Sequence, residues 1–173
     1  MILYLGEKRY FDFLKGEGAE LSEDIDAASA DKIIITECSD RAKKAVSAAR
    51  EKDIPLLGIV DGYKAVVEAF GGSVTETENK DGVQEWAVID ATSPIYVELE
   101  SVIKVCLAKP FAVDEKDPPK ELDVMSRAEK GHVLAMRNMT APKTFGNIYI
   151  INYYPDSPLT PDGRQIIKNF INI

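Results

Sequence analysis

The sequence predicts an α/β domain with a mostly parallel central sheet, helices on both faces and a smaller antiparallel portion. Three observations carry that expectation. The first half alternates apolar, β-branched runs with helical stretches. The run Lys32–Thr36 (KIIIT) has no polar alternation, as a strand covered on both faces requires. The second half carries several short strand-like runs spaced as in an antiparallel meander. Its 173 residues contain no repeat, no low-complexity stretch and no Ser/Gly linker, so 1–173 reads as a single domain.

In chain order, Met1–Leu5 is an apolar strand and Lys8–Lys15 a helix with Tyr10, Phe11, Phe13 and Leu14 available for burial. Glu20–Ser22 reads as a short second strand. Asp40–Lys52 is a helix capped by Ser39 or Asp40, with Ala45, Val46, Ala48 and Ala49 facing inward. Ile54–Val60 is a further buried strand. Gly62–Phe70 is a helix stopped by Gly71-Gly72. The runs Trp86–Asp90, Val102–Val105, Leu122–Ser126, His132–Arg137 and Ile148–Asn152 read as strands, and Asp114–Lys120 as a polar loop. The last helix is expected over Pro161–Ile171, with Thr160 as N-cap, Ile166, Ile167 and Phe170 as its apolar stripe, and Gly163 as a weak point in its first turn.

Composition narrows the function classes. The net charge is −8, which disfavours nucleic acid as a partner, and the basic cluster Arg41, Lys43, Lys44 reads as a solvated helix face. No apolar run approaches membrane-span length, and the opening residues read as a strand rather than a signal peptide. Two cysteines, Cys38 and Cys106, make no disulfide framework, so free thiols in a cytoplasmic setting are expected. The single histidine, His132, and the acidic stretch Glu76, Glu78, Asp81, Glu85 read as surface features. Neither a metal nor a cofactor is expected.

Parallel sheets bind ligands where strands end and helices begin, so the site is expected near Thr36–Ser39 and Val60–Lys64. The stretch Pro55–Val74 (PLLGIVDGYKAVVEAFGGSV) is the most informative. A buried strand turns sharply at Val60-Asp61-Gly62 into a helix, with Gly58 and Gly62 as small neighbours, which is the pattern of a nucleophile elbow. A cysteine at that tip would sit at a helix N-terminus and react as thiolate.

This stretch resembles the class I (triad) glutamine amidotransferases, whose elbow reads Pro-hydrophobic-Leu-Gly-Ile-Cys-x-Gly-x-Gln followed by Ala-Phe-Gly-Gly-x-Val. Ile59, Gly62, Ala69, Phe70, Gly71, Gly72 and Val74 match. A second stretch is similar too. Gly131–Arg137 and Phe145–Ile151 lead into Asn152-Tyr153-Tyr154-Pro155-Asp156-Ser157, where the family has Gly-x-Gln-Phe-His-Pro-Glu-Ser. Ser93–Tyr96 matches a segment in between. The resemblance implies a flavodoxin-like three-layer sandwich. It also implies that Val60 stands at the nucleophile position, Tyr154 at the histidine position and Asp156 at the glutamate position. The loop Thr36–Asp40 replaces a glycine-rich oxyanion loop and brings Glu37 and Cys38 there. Asp61, Tyr63 and Lys64 are candidates to line the pocket, with Lys64 pairing a carboxylate ligand, Glu37 or Asp156.

With neither nucleophile nor ready base, the expectation is a non-catalytic binding or regulatory module with a synthetase or synthase partner, as the family's stand-alone glutaminase subunits have. Two alternatives stand beside it: altered chemistry in the same cleft through Cys38 or Asp61, and a small-molecule sensor. With the nucleophile gone, the turn at Val60 is expected to relax to ordinary backbone angles.

Overall fold

The computed structural model describes residues 1–173 and places nine of its eleven strands in one sheet. In chain order the elements are β1 (Ile2–Leu5), α1 (Phe11–Gly16), β2 (Leu21–Ser22), β3 (Lys32–Ile35), α2 (Asp40–Lys52), β4 (Leu56–Ile59) and α3 (Asp61–Ala69). Then follow β5 (Val74–Glu76), β6 (Gln84–Ile89), β7 (Val102–Cys106), β8 (Phe111–Val113), β9 (Leu122–Ala128), β10 (Val133–Ala141), β11 (Thr144–Ile151) and α4 (Gly163–Ile171). The sheet order is β2-β1-β3-β4-β11-β10-β9-β6-β7, with β5 and β8 forming a separate two-stranded sheet.

The strands β2, β1, β3, β4 and β11 run parallel, and β10, β9, β6 and β7 continue the sheet antiparallel. The residues dictate this division. Ile33, Ile34, Ile35, Leu56 and Leu57 are wholly buried, because helices cover both faces of the parallel half. On one face Ala42, Ala45, Val46 and Ala49 of α2 and Val66 and Val67 of α3 pack with Ile33, Ile35 and Leu56. On the other, Leu14 of α1 and Ile166, Ile167 and Phe170 of α4 pack with Tyr4, Leu57 and Tyr149. This is the flavodoxin-like three-layer sandwich. No helix is long and apolar enough to cross a membrane.

Local expectations hold best where a cap and an apolar stripe agree. α2 spans Asp40–Lys52, and Ser39 Oγ accepts from the Ala42 amide at 3.1 Å. Four expectations need correction. The helix over Lys8–Lys15 is a 3₁₀ turn, Lys8–Tyr10, followed by the short α1. The strands β5 and β8 occupy segments without a strand pattern long enough to be read. Thr160 does not cap α4, whose N-cap is Asp162. Its hydroxyl donates instead to the Tyr154 carbonyl at 2.7 Å and accepts from the Cys106 amide at 2.8 Å. Gly163 is no weak point either. A Cβ there would lie 1.9 Å from the Pro155 carbonyl oxygen, so only glycine lets α4 approach that segment.

Candidate functional site

β4 delivers the chain to the sheet's carboxyl edge, where Val60 takes φ 55° and ψ −98° before α3 begins at Asp61. A β-branched residue at positive φ is a true outlier and stores about 1–3 kcal/mol. The turn is therefore not relaxed, contrary to the sequence expectation. Packing explains why. A Cβ on Gly58 would meet the Gly62 carbonyl oxygen at 2.7 Å, and one on Gly62 would meet the Ile35 carbonyl oxygen at 2.0 Å. The helix start is pressed onto both β4 and β3, so the corner is imposed by its surroundings whatever side chain occupies the tip. The Val60 amide donates to the Ile151 carbonyl at 2.9 Å, which ties the corner to β11 as well.

Val60 and Tyr154 belong to the same buried cluster, at 4% and 8% exposure. Tyr154 enters from the segment after β11, where its amide donates to the Cys106 carbonyl at 2.9 Å. Its hydroxyl donates to Asp81 Oδ2 at 3.1 Å. Burial first, and then the Asp81 carboxylate, push the Tyr154 hydroxyl up to about 12. Near neutral pH it is a hydrogen-bond donor and not a proton acceptor of useful strength.

Arg9 closes this side of the corner. Its guanidinium carbon stands 4.0 Å from the centre of the Tyr154 ring, and its Nε and Nη2 donate to the two Asp156 oxygens at 3.1 and 3.4 Å. On α3, the Asp61 carboxylate accepts from Lys109 Nζ at 2.6 Å. Asn152 Nδ2 donates to the carbonyls of Lys109 and Phe111 at 3.0 and 2.8 Å, and so fixes the backbone that carries Lys109. Every charged group identified around the corner except Lys64 is thus matched by another side chain of the protein.

The remaining predicted residues divide. Glu37 turns toward the start of α2, where Arg41 Nη2 reaches Oε2 at 3.1 Å and Ser39 Oγ donates to Oε1 at 2.9 Å. The Arg41 hydrogen bond holds this carboxyl below its ordinary range. Cys38 is exposed, and its thiol donates to Glu68 Oε2 at 3.4 Å, while Glu68 is paired with Lys43 at 2.8 Å. Burial and the Glu68 carboxylate raise the Cys38 thiol, opposite to the shift an activated thiolate requires.

Tyr63 does not line the site. It is wholly buried in the core beneath α2 and α3, where its hydroxyl donates to the Val133 carbonyl at 3.1 Å and accepts from the Val113 amide at 3.0 Å. Lys64 is half-buried and takes part in no ion pair; Glu37 and Asp156 belong to Arg41 and Arg9 instead.

Sequence reasoning missed Arg9 and Lys109 and took Asp81 for part of a solvated loop. No local pattern marks them. Arg9 follows β1, Asp81 precedes β6 and Lys109 follows β7, so only the tertiary fold brings the three to the corner. A cavity of about 890 Å³ shares no lining residue with this corner; it is lined by residues of β5, β8 and the turn before β10, His132 among them. No group of three His, Cys, Asp or Glu side chains stands ready to hold a metal.

A family model, glutamine amidotransferase class-I, matches residues 21–173. Anthranilate synthase component 2 of Methanocaldococcus jannaschii is 28% identical over 193 residues, covering 99% of this chain and 89% of the relative. The bifunctional protein TrpGD of Thermotoga maritima is 24% identical over 120 residues, 69% of this chain. The chain spans only 20% of that relative's length, and 59% of another relative's. In fold, the chain is similar to the solved structure of a provisionally assigned GMP synthase subunit from Thermoplasma acidophilum. The TM-score is 0.76 at 20% identity, covering 99% of this chain and 92% of that one.

Proposed function

Since the chain belongs to the class I glutamine amidotransferase family, we propose that it is a non-catalytic member acting as a binding or regulatory module for a synthetase or synthase. One observation carries the reading: the strained strand-to-helix corner, where this family's fold would present a nucleophile, holds a buried valine, Val60. Valine has no lone pair to attack an amide, and Tyr154 is held as a donor by Asp81. The Arg9–Asp156 and Lys109–Asp61 pairs occupy the charged groups that a glutamine's ammonium and carboxylate would need. Loss of a nucleophile and its base removes on the order of 10⁴-fold or more in rate.

Relatives are named for anthranilate synthase component 2 and for glutamine-hydrolyzing GMP synthase. That naming supports a synthase or synthetase as the partner. The alternative chemistry through Cys38 or Asp61 finds no support, because the thiol is raised and the carboxylate is neutralised by Lys109.

The experiment is a coupled ammonia assay with glutamine, run with and without cell extract. The purified chain is expected to release no ammonia above a Val60→Ala control in either case. Glutamine-dependent turnover above that control sinks the proposal.

A further inference from the structure

The nine-stranded sheet ends in two edge strands, the two-residue β2 and the longer β7. β6 pairs Trp86 with Lys104 and Val88 with Val102. The Ile89 amide donates to the Ser101 carbonyl, and the Leu107 amide to the Val83 carbonyl. These bonds set the alternation of the ladder. Ile103 and Val105 aim their backbone groups at β6, and Val102 and Lys104 aim theirs outward. Cys106, next in the outward series, is already covered: its amide meets Thr160 and its carbonyl meets the Tyr154 amide. No hydrogen bond reaches the backbone of Val102 or Lys104.

The outer face beside this bare edge is apolar. Trp86, Val88 and Val102 are 47%, 57% and 45% exposed, on adjacent strands and on one face. Proteins ordinarily blunt a free edge next to such a patch or use it.

We propose that this edge binds a second copy of the chain, by antiparallel pairing of β7 with β7 about a two-fold axis at Val102. The charges choose the register. Val102 and Lys104 are exposed on this edge, and so is Glu100, which precedes the strand by two residues. A pair centred on Val102 sets Val102 opposite itself and each Lys104 opposite the copy's Glu100, which gives two opposite-charge cross-strand pairs. Centring on Lys104 opposes two ammonium groups. Centring on Ile103 sets Lys104 against Val102 and leaves Glu100 without a cation. Of these three registers, only the first is self-complementary in charge, as a two-fold interface favours. Trp86 steadies the ammonium at the seam, with Lys104 Nζ 4.9 Å from its ring centre. The two patches of Trp86, Val88 and Val102 then join into one apolar face across the junction.

The test is sedimentation velocity on the full chain over a concentration series. An interface of this small kind gives a dissociation constant in the micromolar class, so dimer is expected by about 100 µM. Lys104→Glu and Glu100→Lys, both at exposed positions, each weaken dimerisation roughly tenfold or more, and the double swap recovers it. Circular dichroism confirms that each variant is folded. A wild-type chain that stays monomeric to about 100 µM overturns the proposal, including one whose edge is taken by a different protein. Single variants that dimerise as well as wild type, or a double swap that fails to recover, also overturn it.

Discussion

Val60 shows how a backbone conformation outlasts its chemical use. The strain is not a property of the residue at the tip, since valine is among the poorest choices for positive φ. It is imposed by Gly58 and Gly62, which let backbone approach backbone at distances no Cβ allows. The corner therefore depends on its glycines far more than on its tip. Gly62→Ala places a Cβ 2.0 Å from the Ile35 carbonyl oxygen, and neither partner is a flexible side-chain end. A loss of about 3 kcal/mol or more is expected, read as a lower urea midpoint with unchanged slope. That the corner exists was legible in Gly58-Ile59-Val60-Asp61-Gly62; that it stays strained was not. The strain depends on how closely α3 is pressed onto β3, a tertiary distance that no local pattern encodes.

Among the elements, legibility tracked local agreement. α2 is legible to the residue because its cap and its apolar face agree, and the structure adds an αL stop at Asp53. α1 was read as longer than it is. The difference lies at its start: Lys8–Tyr10 closes as a 3₁₀ turn, while the end at Gly16 falls one residue beyond the expected Lys15. Beside the core contact of Leu14, Glu17 ties the end of this short helix to α4: its side chain is only 3% exposed and takes Arg164 and Lys168 at 3.2 and 3.5 Å. Gly16 itself is a removable weakness: it is exposed, has no positive φ, and a Cβ there meets nothing within 4 Å. Gly16→Ala should raise stability by about 0.5–1 kcal/mol in the same urea measurement. The site residues divide by the same logic. Val60 and Tyr154 were found through motifs carried on single elements. Arg9, Asp81 and Lys109 were missed because each is brought in by a different part of the chain, and Tyr63 was misassigned because its place one residue past Gly62 on α3 turns it into the opposite core.

Across the whole molecule, buried phenols link stability to alkaline pH. Tyr4 and Tyr154 are each raised to about 12, in both cases chiefly by burial, and Tyr63, Tyr96, Tyr149 and Tyr153 are shifted upward for the same reason. A folded-state value above the unfolded one means that the unfolded chain releases its protons first. The contribution is complete below the unfolded value near 10 and disappears as pH climbs through about 12. The thermal midpoint should stay level across the mildly alkaline range and fall steadily beyond pH 10, followed by scanning calorimetry in matched buffers. A midpoint unchanged from pH 10 to 12 contradicts this account. One small group joins the far ends of the fold. The Thr160 hydroxyl bridges the β7 amide of Cys106 and the chain just ahead of α4, within the layer that also seats α1. The meander's outermost ribbon is thus clasped to the approach to the carboxyl-terminal helix, and that bridge must break before it peels away.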